Sequence, residues 1–227
     1  MRRGADAYIV ETGPAYRPPR ASAPPELARH ASALRYDSTQ SKSPDEIARL
    51  FREQQIDLRF PEGVPNLQPT DIRITDPAPI VRSNDGNFDL LVRRWSWPGQ
   101  GGKPVYNFRS DGREFPTGRC LIVADGFYEF TAPSDPKQKR KDRWLFTPPG
   151  RGLVGIAGLV RDDPGRGEAF TMLTTEPGPD VAPYHGRQVA LLRPEQWKPW
   201  LTYAQPASEL IGPLPPGTLE VSAAMAA

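Results

Sequence analysis

Apolar residues come in short bursts along this chain, and long periodic runs are absent. The clearest helical pattern begins at Ser43. Ser43 is a good N-cap, Pro44 fits the first helical position, and Glu46 completes a capping box. Ile47, Leu50 and Phe51 then fall on one face, which predicts a core-packing helix. From Asp71 the texture becomes that of strands, with Ile72, Ile74 and Ile80-Val81 apolar. Asn84-Asp85-Gly86-Asn87 is a turn, and Phe88 to Trp95 returns as a strand, giving a hairpin. Trp97 to Gly102 reads as a loop, Arg119 to Phe130 as a buried strand interrupted at Asp125-Gly126, and Ser134 to Asp142 as a polar, basic loop. Leu153 to Val160 and Ala169 to Thr175 flank a turn at Asp163-Pro164-Gly165. Val189 to Leu192 is a short strand. Pro194 to Leu201 is a short helix weakened at Pro199, Ala207 to Ile211 a second helical piece, and Leu219 to Val221 a last strand. The sum is α+β: a single domain with a mainly antiparallel, curved or barrel-like β-sheet and a few short helices, over 33–227. Residues 1–32, rich in Ala, Pro and Arg without a period of 2 or 3.6, read as a flexible extension; a basic arm touching nucleic acid is the functional alternative.

Composition narrows the classes. The 227 residues suffice for one domain with a sizeable core, and 28 prolines with 20 glycines favour short strands and turns. A net charge of +2 neither demands nor excludes nucleic acid, since a few arginines on one face suffice for phosphate contacts. One cysteine excludes an intramolecular disulfide, and with only His30 and His185 beside it no metal site is expected. No apolar run is long enough for a membrane span, and no apolar core follows Arg2-Arg3 as in a secretion signal, so a cytoplasmic protein without membrane partners is expected.

Candidate chemistry concentrates in a few segments. In Asp125-Gly126-Phe127-Tyr128-Glu129 one carboxylate sits among aromatics. Burial there would raise the pKa of Glu129 and suit proton transfer, while a structural Glu at a strand end is the equal alternative. His185 lies in a loop two residues before Arg187, which suits phosphate neutralisation; either is also an ordinary loop residue. Asn107 and Arg109 follow the glycine-rich loop, where an Asn orients a hydroxyl or carbonyl, or simply makes a turn. Trp95 and Trp97, two apart in an extended segment, share a face that stacks on bases or packs in the core. Cys120, among apolar neighbours, reads as an inert buried thiol, the alternative being a hydrolase nucleophile served by His185.

The order and spacing of these segments resemble one family, the SOS response-associated peptidases. Gly118 to Phe130 (GRCLIVADGFYEF) resembles its signature strand, Asn107 to Phe115 its Asn-Ala-Arg segment, and Leu173 to Leu192 its Thr-Thr…His-x-Arg segment. Asn66 to Thr70, Leu192 to Trp197 and Pro215 to Val221 fit further elements, so the resemblance spans roughly Ser43 to Ser222. It implies recognition of abasic sites in single-stranded DNA, without a cofactor and by a monomer. In that chemistry an N-terminal Cys forms a thiazolidine with the open sugar aldehyde. Glu129 would relay protons and His185 would assist sugar opening. Asn107 would hold the sugar, and Arg35, Arg109 and Arg187 would serve the DNA. The family's self-processing peptidase activity is implied in the same way.

The opening departs from the pattern. The family begins Met-Cys-Gly-Arg-(Tyr or Phe), and here Ala33-Leu34-Arg35-Tyr36 occupies that place behind an extension of 32 residues. Ala33, where the nucleophilic Cys belongs, has neither thiol nor free amine. Two explanations fit: a degenerate member that binds damaged or single-stranded DNA without cross-linking, or a displaced reading frame ahead of Ser38. Phe108 replaces the usual Ala, Asp111 stands where Glu is usual, and the family's tail beyond the last strand is missing.

Overall fold

A computed structural model describes residues 38–133, 137 and 139–224. The chain divides into Met1–Ala31 and Ser32–Ala227, and the described residues belong to the second unit. The predicted extension over 1–32, Ala33 and Arg35 lie outside them.

The described residues open with strand β1 (Ser38–Gln40) and helix α1 (Pro44–Glu53). The capping box is formed: Glu46 N–H donates to the Ser43 hydroxyl, and the Glu46 carboxylate accepts from Ser43 N–H at 2.8 Å. Ile47 and Phe51 are buried, as the spacing predicts. Strands β2 (Leu58–Arg59), β3 (Thr70–Ile72), β4 (Pro77–Asn84) and β5 (Asn87–Trp95) follow. Asp85 and Gly86, both at positive φ, make the β4–β5 hairpin turn. The expected loop at Trp97 carries a small ribbon, β6 (Trp97–Pro98) with β7 (Pro104–Val105), ahead of β8 (Asn107–Arg109). Next come β9 (Arg119–Ala124), β10 (Gly126–Thr131), β11 (Asp142–Thr147), β12 (Val154–Asp163) and β13 (Gly167–Thr175). The chain continues through β14 (Gln188–Val189), β15 (Leu191–Leu192), α2 (Pro194–Leu201), α3 (Ala207–Leu210) and β16 (Glu220–Ala224).

The described residues form an α+β domain with a mainly antiparallel sheet that closes on itself. Strands run β13-β12-β9-β4-β5, and a parallel pairing of β5 with β13 (Trp95 opposite Phe170) joins the ends. A second sheet, β16-β11-β10-β1-β3, is antiparallel throughout. Both faces of β9 are buried. Cys120, Ile122 and Ala124 face a core shared with Ile80, Ile156, Phe170 and the inner side of the second sheet. Leu121 and Val123 face the other way, against Phe51, Trp197 and Trp200 of the helices. This two-sided burial explains why β9 reads as a continuous apolar run.

The interruption expected at Asp125-Gly126 is formed, and there the chain passes from one sheet to the other, β9 and β10 lying in different sheets. Two expectations are corrected. The short strand at Val189 to Leu192 is broken at Ala190, so that β14 pairs with β13 while β15 pairs with β12. Past the predicted polar loop, Asp142–Thr147 forms β11, for which the sequence reading has no strand.

Candidate functional site

The signature pentapeptide is the crossing between the sheets. Asp125 N–H donates to Thr39 O at 2.8 Å, and the Asp125 carboxylate accepts from Lys42 Nζ at 2.8 Å, a pair largely shielded from solvent. A Cβ on Gly126 would run into the Phe146 carbonyl oxygen of β11. The Asp-Gly step is thus required by backbone approach as well as by the change of sheet.

Beyond Gly126, strand alternation turns Phe127 and Glu129 inward and Tyr128 to the opposite face. Phe127 stacks on Phe146 with ring centroids 5.1 Å apart. Glu129 lies opposite Trp144, and Tyr184 packs on both Trp144 (4.9 Å) and Phe146 (5.3 Å). Glu129 is 2% exposed, and its Oε1 has no hydrogen-bond partner among the described residues. Burial pushes its carboxyl pKa well above the ordinary carboxylate range, so the group can hold a proton near neutral pH.

Tyr184 leads directly into His185. The loop is wound by backbone bonds, with the N–H groups of Tyr184 and His185 donating to Val181 O at 2.9 and 3.0 Å. His185 Nδ1 lies 2.7 Å from Arg187 O and 3.0 Å from Arg187 N. Both contacts tie the ring to the Arg187 backbone through Nδ1. Burial lowers the imidazole pKa; the bond to Arg187 O opposes this, and the charges of Lys141 and Arg187 add to the lowering.

Asn107 and Arg109 lie on β8, which runs parallel to β13 with Asn107 opposite Met172 and Arg109 opposite Thr174. Asn107 Nδ2 is buried without a partner among the described residues, and Arg109 is exposed. The Thr174 carbonyl accepts three bonds at 2.9 Å, from Ser110 N–H, Ser110 Oγ–H and Arg187 Nη2. Arg187 Nη2 also pairs with Asp111 Oδ2 at 2.7 Å. The structure therefore gathers Asn107, Arg109 and Arg187 around the end of β13, with His185 two residues from Arg187. Glu129 comes from the other sheet, opposite Trp144, whose ring packs on Tyr184, the residue before His185. Trp144, Tyr184, Thr174 and Asp111 are additions that the sequence reading does not single out as site residues. Thr174 does lie in the quoted Thr-Thr segment, and Asp111 is the noted departure from Glu.

The two tryptophans are corrected. Trp95 is fully buried, lies parallel to Phe170 and donates its indole N–H to Tyr106 O at 2.7 Å. Trp97 is 6% exposed, with the Arg161 guanidinium 4.2 Å over its ring. Between them Ser96 has φ +81°, which breaks the alternation that would have put both rings on one face. Neither offers an open ring for base stacking. Cys120 is fully buried, and burial raises its thiol pKa, which leaves the cysteine hydrolase alternative without a reactive thiolate. Among the described residues no group of His, Cys, Asp and Glu could hold a metal ion, and no helix is long and apolar enough to cross a membrane.

Comparison with known proteins places this geometry. The family model for the SOS response associated peptidase (SRAP) matches residues 35–225. No curated protein matches the chain. Among solved structures, a protein from Bordetella bronchiseptica is similar at TM-score 0.62 and 20% identity, covering 84% of this chain and 99% of its own. A protein from Bacteroides thetaiotaomicron gives 0.63 and 17%, covering 82% and 90%. A phage-related protein from Bordetella bronchiseptica gives 0.61 and 21%, covering 85% and 94%. These likenesses show a common fold. The family match takes in the Asp125–Glu129 crossing, the β8 strand and the His185–Arg187 loop alike, and the chain belongs to the SOS response-associated peptidase family.

Proposed function

We propose that this protein recognises abasic sites in single-stranded DNA in the response to DNA damage. The observation that carries the reading is Glu129: a buried carboxyl with one oxygen unpartnered among the described residues, its pKa raised by burial. Such a group can give a proton to a sugar oxygen and take it back. The His185 imidazole, whose pKa burial lowers, is the candidate base. Asn107 Nδ2, buried and unpartnered among the described residues, suits a sugar hydroxyl. Arg109 and Arg187 supply the positive charge for flanking phosphates. Ala33 brings no thiol to the position where the family's chemistry needs one, so covalent capture is not assigned to that residue.

The test uses two single-stranded oligonucleotides of one length, with and without one abasic site, and fluorescence anisotropy as the readout. Tighter binding of the abasic strand is expected. Equal affinity for the two would make the protein a plain single-stranded DNA binding module. Absence of binding to either sinks the reading. Intact mass of the mixture reports whether an adduct forms, and an adduct would show that an amine of this protein reaches the sugar aldehyde.

A further inference from the structure

Asp111 occupies a position suited to an anion from outside. It sits in a turn closed by Arg113 N–H donating to Ser110 O at 3.0 Å, and Gly112 at φ +65° follows it. Its Oδ2 accepts from Arg187 Nη2 at 2.7 Å, and it also feels the charge of the exposed Arg109. The two halves of the pair are held very differently. The Arg187 side chain is 14% exposed and fixed from behind by the Thr174 carbonyl, whereas the Asp111 side chain is 45% exposed. The guanidinium is the anchored partner and the carboxylate the movable one. The bond from Arg187 keeps the Asp111 carboxyl below its ordinary pKa, so it remains charged at neutral pH.

We infer that Asp111 is a resident stand-in for a DNA phosphate. In the free protein it neutralises Arg187 within reach of Arg109, and an incoming backbone phosphate displaces it and takes the guanidinium. Affinity for single-stranded DNA is then set by a competition between two anions for one cation. The carboxylate screens Arg187 from weak, unspecific anions. This inference rests on the reading of Arg187 as a phosphate-binding residue.

The experiment measures affinity for the abasic oligonucleotide across a salt series for the wild type, Asp111→Asn, Asp111→Glu, Arg187→Ala and the Asp111→Asn/Arg187→Ala double variant. Thermal unfolding of each variant checks the fold. Asp111→Asn is expected to bind about 2- to 5-fold tighter, the worth of one partly exposed ion pair. Its salt dependence should steepen by up to about 0.7 in the log–log slope, the share of one single-strand phosphate. Asp111→Glu, which keeps the charge, should stay near wild type, and the gain should vanish in the Arg187→Ala background. Weaker or unchanged binding by Asp111→Asn overturns the inference, as does a gain that survives the loss of Arg187. If the wild type binds and Asp111→Asn changes nothing, the inference alone fails; if the wild type does not bind, the function reading fails with it.

Discussion

Glu129 stands directly opposite Trp144 in the β10–β11 ladder, on the face both strands turn inward. The Trp144 indole N–H donates to Thr131 Oγ1 at 3.0 Å, so its donor is already taken. Glu129 is left beside an aromatic surface with one oxygen unpartnered among the described residues, and this burial favours its protonated form.

Glu129→Gln keeps the shape and removes the titration. A carboxyl whose folded pKa is raised favours the fold at low pH. That contribution is lost as pH rises from the ordinary value of 4.5 towards the raised folded value. The variant should match wild type in stability near pH 4 and exceed it at pH 8, as read by denaturant titration at the two pH values. Any abasic-site chemistry should fall by about 10²-fold or more, the usual worth of a general acid–base group. Equal stability differences at both pH values would show that Glu129 does not titrate as argued.

His185 has the opposite sign. Its folded pKa is depressed below 6.5, so the stability it contributes is present above that value and is lost as pH falls through the folded pKa. His185→Gln should flatten the decline in melting temperature below pH 6.5, measured by circular dichroism in a pH series.

The Cys120 thiol should resist alkylation. Iodoacetamide is expected to leave the folded protein unmodified by mass over the time in which the denatured protein reacts fully. Cys120→Ala should keep DNA binding. Rapid modification of the folded protein would revive a reactive-thiol role.

Gly126→Ala should destabilise by about 1–3 kcal/mol, because the new methyl group meets the Phe146 carbonyl oxygen and the backbone of β10 or β11 must shift. Chemical denaturation measures this. A neutral result would mean that the Asp-Gly step is kept for the turn alone.

Trp95→Ala should cost about 3–5 kcal/mol, as expected for a fully buried Trp. Any loss of DNA binding should follow the fraction unfolded. A folded Trp95→Ala variant with weakened binding would restore the base-stacking role.

Local rules made much of the fold readable. Helix α1 was written in Ser43, Pro44, Glu46 and the spacing of Ile47 and Phe51, because a cap and a face are properties of neighbouring residues. The β4–β5 hairpin followed from its turn in the same way. The candidate site was readable as a set of residues, through the spacing that resembles a family, and not as a shape. Trp95 and Trp97 show why: period-2 alternation puts them together, and a single left-handed residue, Ser96, undoes it.

The sequence by itself determined the class of the fold, the cap of α1, the hairpin and the identity of Glu129, His185, Asn107, Arg109 and Arg187 as the residues to watch. Only the tertiary structure decided that the chain changes sheet at Asp125, that Ala190 divides its neighbours between two partner strands, and that Asp111 holds Arg187 against Thr174. Caps and turns are short-range hydrogen-bonding choices. Sheet membership, burial and ion pairs between residues 76 positions apart depend on which segments meet when the barrel closes, and no local pattern encodes that meeting.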